Sequence, residues 1–229
     1  MSAQNTVAAQ PAPISKWILS AQALVNSPSR QDGMSLEEER EQLRKATGQI
    51  YRAGQESKIP KESIVTAMIF LIRFYGLQSF RKYNRFIIAQ ACLFLAAKVE
   101  ETPTKLYKVI TACHSVRNAG QAGERIDINS EEYTKEKNAV LEAERIILYT
   151  INYELDSTPI NPTLIFKNIL SKLIETRIID ENNKSFMNNG VNIMWASLRT
   201  NLPLQFEPKK NCLCLCFSYH YIFKAHAKR

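Results

Sequence analysis

The stretch CLFLAAKVEETP, Cys92 to Pro103, decides how this sequence is read. It overlaps FIIAQACLFLAA, residues 86–97, an apolar run with no charge. As a helix, such a run rises only about 18 Å, whereas a membrane span needs roughly 20 residues. The run therefore predicts a buried helix and no transmembrane segment. It is apolar all round and holds Ala89, Ala91, Ala96 and Ala97. Small residues let neighbouring helices come close, so a helix over about Asn84 to Glu101 is expected at the centre of a bundle. Thr102-Pro103 ends it, because the residue before a proline avoids the helical region. Phe94, Lys98 and Glu101 stand at i, i+4 and i+7, which places them on one helical face. A second acid within apolar sequence is Glu144, in VLEAERIIL at 140–148. Two readings of these residues stand open. In one, Lys98 lays its stem over the core and Glu144 faces water beside Arg145. In the other, Lys98 meets Glu144 across two packed helices, and with Phe94 they make a docking face. An aromatic anchor beside a desolvated charge pair is what interface hot spots are commonly built from.

Working outward, helical signals continue on both sides. Ser35-Leu36-Glu37-Glu38 is a capping box, and the three acids of the first turn, Glu37, Glu38 and Glu39, suit the positive end of a helix that stops near Gly54. Pro60 opens a second helix, whose core IVTAMIFLIRFY ends near Gly76. A fourth covers about Lys105 to Val116. The polar stretch 117–130 reads as a mobile loop. Ser130 caps a fifth helix through VLEAERIILYTI. DSTPINP, 156–162, marks a boundary, after which Asn161 and Pro162 open another helix. One more is expected over roughly Ser185 to Thr200. Asn189-Gly190 is a hairpin signal in isolation, but no alternating strands flank it. Before all of these, Ser15 to Asn26 forms a short helix presenting Trp17, Leu24 and Val25, and Pro28 and Gly33 then break the chain. Residues 1–14 are read as disordered.

Composition narrows the function. The chain has 229 residues and a net charge of +8. Five of those charges are Lys209, Lys210, Lys224, Lys228 and Arg229, in a C-terminal segment without acids, which leaves +3 for residues 1–207. That modest balance argues against a nucleic-acid groove. The first residues lack a basic region and an apolar core, so a secretory signal is not expected. The cysteines are Cys92, Cys113, Cys212, Cys214 and Cys216, an odd count in a reduced, intracellular pattern. No metal-ligand spacing supports the C-x-C-x-C stretch, so no metal or cofactor is expected. The three histidines are scattered, and His114 is placed at a helix end on the surface, where it suits the dipole. No nucleophile has an evident base, so no catalytic residue is assigned and the chain is not read as an enzyme.

The segments FLIRFYGLQSF (70–80), CLFLAAKVEETPTKLYKVI (92–110), VLEAERIILYTINYELD (140–156) and LRTNLPLQFEP (198–208) together resemble a cyclin box. KWILSAQALVNSPSR (16–30) resembles the opening of transcription-type cyclins, the T, K and L group. The resemblance covers about residues 15–210. It implies an all-α cyclin fold: a five-helix bundle at 35–156, after an N-terminal helix and linker at 15–34, followed by a second, incomplete cyclin-like helical domain at 157–210. The tail 211–229 departs from the family's pattern, so the second fold is expected to lack roughly two helices and to leave apolar faces of the helices at 163–174 and 185–200 uncovered.

In the family, the Lys of LAAKVEE and the Glu of the fifth helix grip the segment around the kinase's αC helix; the corresponding residues here are Lys98 and Glu144. In T-type cyclins the kinase face also uses residues matching Phe94, Glu101 and Tyr153. The resemblance thus implies a regulatory subunit, partnered by a cyclin-dependent protein kinase in a heterodimer. It would hold αC in its active position, act on the RNA polymerase II tail, and be nuclear. Cell-cycle cyclins carry Asp where Ile72 stands, and an apolar substrate-docking patch where Ala46 and Thr47 stand, which favours the transcription class. Two other readings remain: a truncated or inhibitory cyclin variant, and a DNA-binding cyclin-fold protein like general initiation factor B. That factor begins with a zinc ribbon, and residues 1–34 contain no Cys.

Overall fold

A computed structural model describes residues 17–118, 126–156, 161–177 and 184–206, with side chains left out at 184–186. Residues 1–14, expected to be disordered, residues 119–125 of the expected loop 117–130, and the tail 211–229 lie outside the described residues. Every regular element described is helical. Two short helices, α1 (Ala21–Val25) and α2 (Pro28–Gln31), precede α3 (Leu36–Glu56), α4 (Lys61–Leu77), α5 (Arg85–Val99), α6 (Leu106–Arg117) and α7 (Glu131–Thr150). Then come α8 (Pro162–Glu175), α9 (Lys184–Ser197) and a 3₁₀ turn at Leu202–Leu204. No described helix is long and apolar enough to cross a membrane.

The starts of these helices follow from side chains that satisfy otherwise orphaned backbone N–H groups. The Glu38 N–H donates to Ser35 Oγ at 3.2 Å, and the Ser35 N–H donates to the Glu38 carboxylate at 2.8 Å, closing the capping box. Asn84 caps α5 through the Phe86 N–H at 2.9 Å, and Ser130 caps α7 through the Tyr133 N–H at 3.1 Å. Asn161 accepts from the Thr163 and Leu164 N–H groups at 3.0 and 3.2 Å, with Pro162 in the first turn of α8.

The N-terminal expectations need correction. Only Ala21–Val25 is helical before Ser27; Trp17 precedes the helix and is buried, while Val25 is exposed. Pro28 opens α2 rather than breaking the chain, because Ser27 caps it through the Arg30 N–H at 3.3 Å. Gly54 does not stop α3. It is buried inside the last turns, and a Cβ there would sit 2.6 Å from the Ile64 side chain. The close approach of α3 to α4 selects glycine at this position.

The centre of the bundle is α5, packed against α3, α4, α6 and α7. Ala89, Ala91, Cys92, Leu93, Ala96 and Ala97 have no exposed surface. Burial pushes the Cys92 thiol up, and pushes Cys113 up to about 12, so both behave as small apolar groups. His114 is in the last turn of α6, as expected, but it is buried rather than on the surface, with Asn118 and Glu132 beside it.

A buried arginine joins three distant segments. Arg73 of α4 donates to the Glu154 carbonyl at 2.9 Å and to the Asp156 carbonyl at 3.4 Å. Its guanidinium lies 4.6 Å from the Trp17 ring centroid, and the Trp17 indole N–H donates to the Glu154 carboxylate at 2.8 Å. Desolvation pushes the Arg73 guanidinium down to about 10, against the opposing pull of Glu154 and Asp156, so it stays charged at neutral pH. The Leu19 N–H donates to the Leu204 carbonyl at 2.8 Å, which fastens the N-terminal segment to the 3₁₀ turn.

The helices α8 and α9 bury part of their apolar surface on each other. Ile165, Phe166 and Met194 form a small cluster, while Leu198 and Leu204 join the main core. The uncovered faces expected there are thereby reduced, although Leu164 stays exposed. Asn189-Gly190 lies inside α9, not in a hairpin. A Cβ at Gly190 would fall 2.1 Å from the Phe166 ring, so the glycine admits that ring.

Two consequences are measurable. Gly190→Ala should destabilise the α8–α9 contact by about 1–3 kcal/mol through overpacking, read as faster amide exchange in 162–175 than in α5. Arg73→Met should lower stability by about 2–3 kcal/mol in urea unfolding, because charge-assisted hydrogen bonds to two carbonyls disappear. An unchanged midpoint would mean that Arg73 is not a structural tie.

Candidate functional site

The C-terminal end of α5 and the facing length of α7 bring the predicted residues together. Lys98 lies in the last turn of α5, where the cation suits the negative end of the helix. Its Nζ forms an ion pair with Glu144 of α7. The Glu144 side chain is only 10% exposed, and that of Lys98 is 45% exposed. One partner is thus sunk between helices while the other reaches the surface. Lys98 Nζ also sits 4.4 Å from the centroid of the Phe94 ring, within cation–π range. Of the alternatives open from spacing, the geometry makes the Lys98–Glu144 contact across the two helices, and Glu144 does not face water beside Arg145.

Glu101 departs from the expected stripe. The helix ends at Val99, so the i+7 register breaks before Glu101. Glu101 adopts a left-handed backbone, φ 52°, and the Thr102 N–H closes onto the Ala97 carbonyl at 2.9 Å. This is a Schellman-type stop with glutamate in a place that glycine usually takes. The neighbouring Glu100 carboxylate turns inward and accepts from Thr66 Oγ1 at 2.6 Å. The exposed acid beside Lys98 is therefore presented by a turn, not by the helix.

Tyr153 follows the end of α7, also in the left-handed region at φ 56°. Its ring meets Tyr149 edge to face at 5.6 Å, and both are well exposed, at 55% and 72%. The Tyr149 hydroxyl beside it pushes the Tyr153 phenol up. Sequence reasoning missed Tyr149; the i, i+4 spacing of two tyrosines across a helix end was the available signal. Between the two helix ends lies an open hollow of about 560 Å³, lined by apolar Leu95, Val99, Leu141, Leu148 and Leu155, with Lys98, Glu144 and Tyr153 at its edges. Arg73 sets this corner indirectly, because its two carbonyl partners follow Tyr153 in the chain. An apolar hollow flanked by tyrosines and a half-buried ion pair is suited to binding another protein. Among the described residues no group of His, Cys, Asp and Glu is arranged to hold a metal ion.

Comparison with known proteins agrees with this architecture. Residues 15–156 match the family model for the cyclin N-terminal domain. The chain is 33% identical over 198 residues to Cyclin-T1-5 of Arabidopsis thaliana, covering 85% of this chain and 33% of that one. It is 36% identical over 140 residues to Cyclin-T1 of Mus musculus, covering 61% of this chain and 19% of that one. The chain thus spans a third or less of the length of these relatives. Its fold is similar to that of a chain in the yeast RNA Pol II CTD kinase CTDK-1 complex, with a TM-score of 0.72 at 17% identity, covering 90% of this chain and 63% of that chain. It also resembles a chain of the yeast TFIIK (Kin28/Ccl1/Tfb3) complex, with a TM-score of 0.59 at 17% identity, covering 87% and 80%. The five helices α3 to α7 are accordingly a cyclin box. With that family model matched over more than half of its residues, and T-type cyclins among its relatives, the chain belongs to the cyclin family, in its transcription-type branch.

Proposed function

We propose that this chain is a regulatory cyclin subunit that binds and activates a cyclin-dependent kinase of the transcription type. It docks through the α5–α7 face, with Phe94, Lys98, Glu101, Glu144 and Tyr153 contacting the segment around the kinase's αC helix. The observation that carries this reading is the half-buried Lys98–Glu144 pair, packed against Phe94 at the rim of an apolar hollow. The mechanism is a shift of population. A kinase is active when the Lys of its strand β3 pairs with the Glu of αC, and αC position controls that pairing. A cyclin that binds only the αC-in state stabilises it by its own binding energy. No catalytic group comes from this chain. The substrate of the complex is the tail of RNA polymerase II, supported by the likeness to a chain of the yeast RNA Pol II CTD kinase complex, and its place is the nucleus.

The test uses a charge exchange. Lys98→Glu and Glu144→Lys each leave like charges facing across α5 and α7, whereas the double variant restores an internal pair of reversed polarity. Each single variant should lose kinase binding in a pull-down against a panel of purified cyclin-dependent kinases. The double variant should recover thermal stability without recovering binding. Wild-type chain should also raise kinase activity on a polymerase-tail peptide. Recovery of binding by the double variant would mean that the pair acts only inside the fold. Binding without activation would mark a non-activating cyclin. No binding by a folded sample would defeat the kinase-subunit reading.

A further inference from the structure

A second surface, built from different residues, lies between α3 and α9. Here a groove of about 680 Å³ runs over Met68, with Tyr51 on one side and Trp195 on the other. The two rings meet edge to face, with centroids 5.1 Å apart. Tyr51 is 36% exposed, a large apolar group left open at the surface. Five cations line the groove, Arg44, Lys45, Arg52, Lys61 and Arg199, against the single acid Glu41. Arg44 and Lys45 already engage that acid: Arg44 Nε donates to it at 2.8 Å, and Lys45 Nζ lies 3.3 Å away. Arg52, Lys61 and Arg199 are exposed and form no ion pair among the described residues. Arg52 makes only a long contact, 3.5 Å, to the Gly48 carbonyl of its own helix.

We propose that this groove docks an acidic peptide segment of a partner protein, one that lays an aromatic or aliphatic side chain over Gly48, beside the Tyr51–Trp195 ring pair. Charge complementarity selects the acidic chain. Three unpaired cations around an apolar notch attract an acidic segment and steer its approach, repel a basic one, and leave a neutral one unsteered. The ring geometry selects a peptide over a nucleic acid. An edge-to-face pair, with Trp195 half-buried against the core, does not present the two open ring faces on which successive bases stack. Gly48 leaves the α3 side of the groove without a side chain, and beyond its own helix turn nothing lies within 4 Å of where its Cβ would stand. That is the space for the partner's side chain. The groove shares no residue with the α5–α7 face, so both surfaces are available at once.

The test uses the full chain and three fluorescein-labelled probes. These are a twelve-residue Glu/Asp-rich peptide with a central Phe-Leu, the same peptide with Ser in place of Phe and Leu, and a dT12 oligonucleotide. Anisotropy should show saturable binding of the first peptide, with a change in Trp195 fluorescence. The Ser peptide should bind about tenfold more weakly, and the oligonucleotide no better than the Ser peptide. The triple variant Arg52→Glu, Lys61→Glu, Arg199→Glu changes only exposed groups and should keep the wild-type melting curve while losing about tenfold in affinity. Rescue is expected when that variant meets a Lys-rich Phe-Leu peptide. Equal affinity for the acidic and Ser peptides, tighter binding of dT12, or absence of saturable binding by a natively melting chain would each overturn the proposal.

Discussion

A helix buried on every side can carry charge only at its ends. That constraint on α5 organises the cyclin box. The alanines at 89, 91, 96 and 97 let four helices close around it, and nothing ionised is placed along its buried length. An uncompensated charge there would cost several kcal/mol. Charge therefore appears at Arg85, in the first turn, and at Lys98, in the last. The place where Lys98 escapes the core is also where Glu144 arrives on α7, so the packing rule that buries α5 creates the ion pair at its rim.

Arg73 makes a comparable tie on α4. It is almost wholly buried, and its charge is stabilised by two carbonyls, a tryptophan face and the Glu154 and Asp156 carboxylates. Its partners come from before α1 and after α7. The arginine thereby fixes the exit of α7, and with it the corner where Tyr149 and Tyr153 project. Stability and presentation of the candidate face are in this sense one problem.

The two surfaces differ in physical character. The α5–α7 face is an apolar hollow with one half-buried ion pair, suited to a partner that desolvates it on binding. The α3–α9 groove has an excess of exposed cations around two rings, suited to an acidic segment that stays partly wet. The first is a property of the cyclin box alone. The second exists only because α9 packs against α3, bringing Trp195 to Tyr51.

Much of this was legible in the sequence. The capping residues Ser35, Ser130 and Asn161 announced three helix starts, because capping is local and depends on a few consecutive residues. The all-round apolar run at 86–97 announced the central helix, and the spacing of Phe94 and Lys98 announced their contact. What failed was decided by distant partners. Gly54 read as a stop, but it is kept small by a side chain from another helix, Ile64. Glu101 fitted a helical stripe until the chain left the helix two residues early. His114 was placed at a helix end correctly, but whether that end met water depended on α7. The sequence by itself determined which segments are helical and which helix is central, since those follow from periodicity and capping. Only the tertiary structure decided that Lys98 reaches Glu144 and that Trp195 meets Tyr51, because contacts between residues dozens of positions apart depend on how whole helices pack.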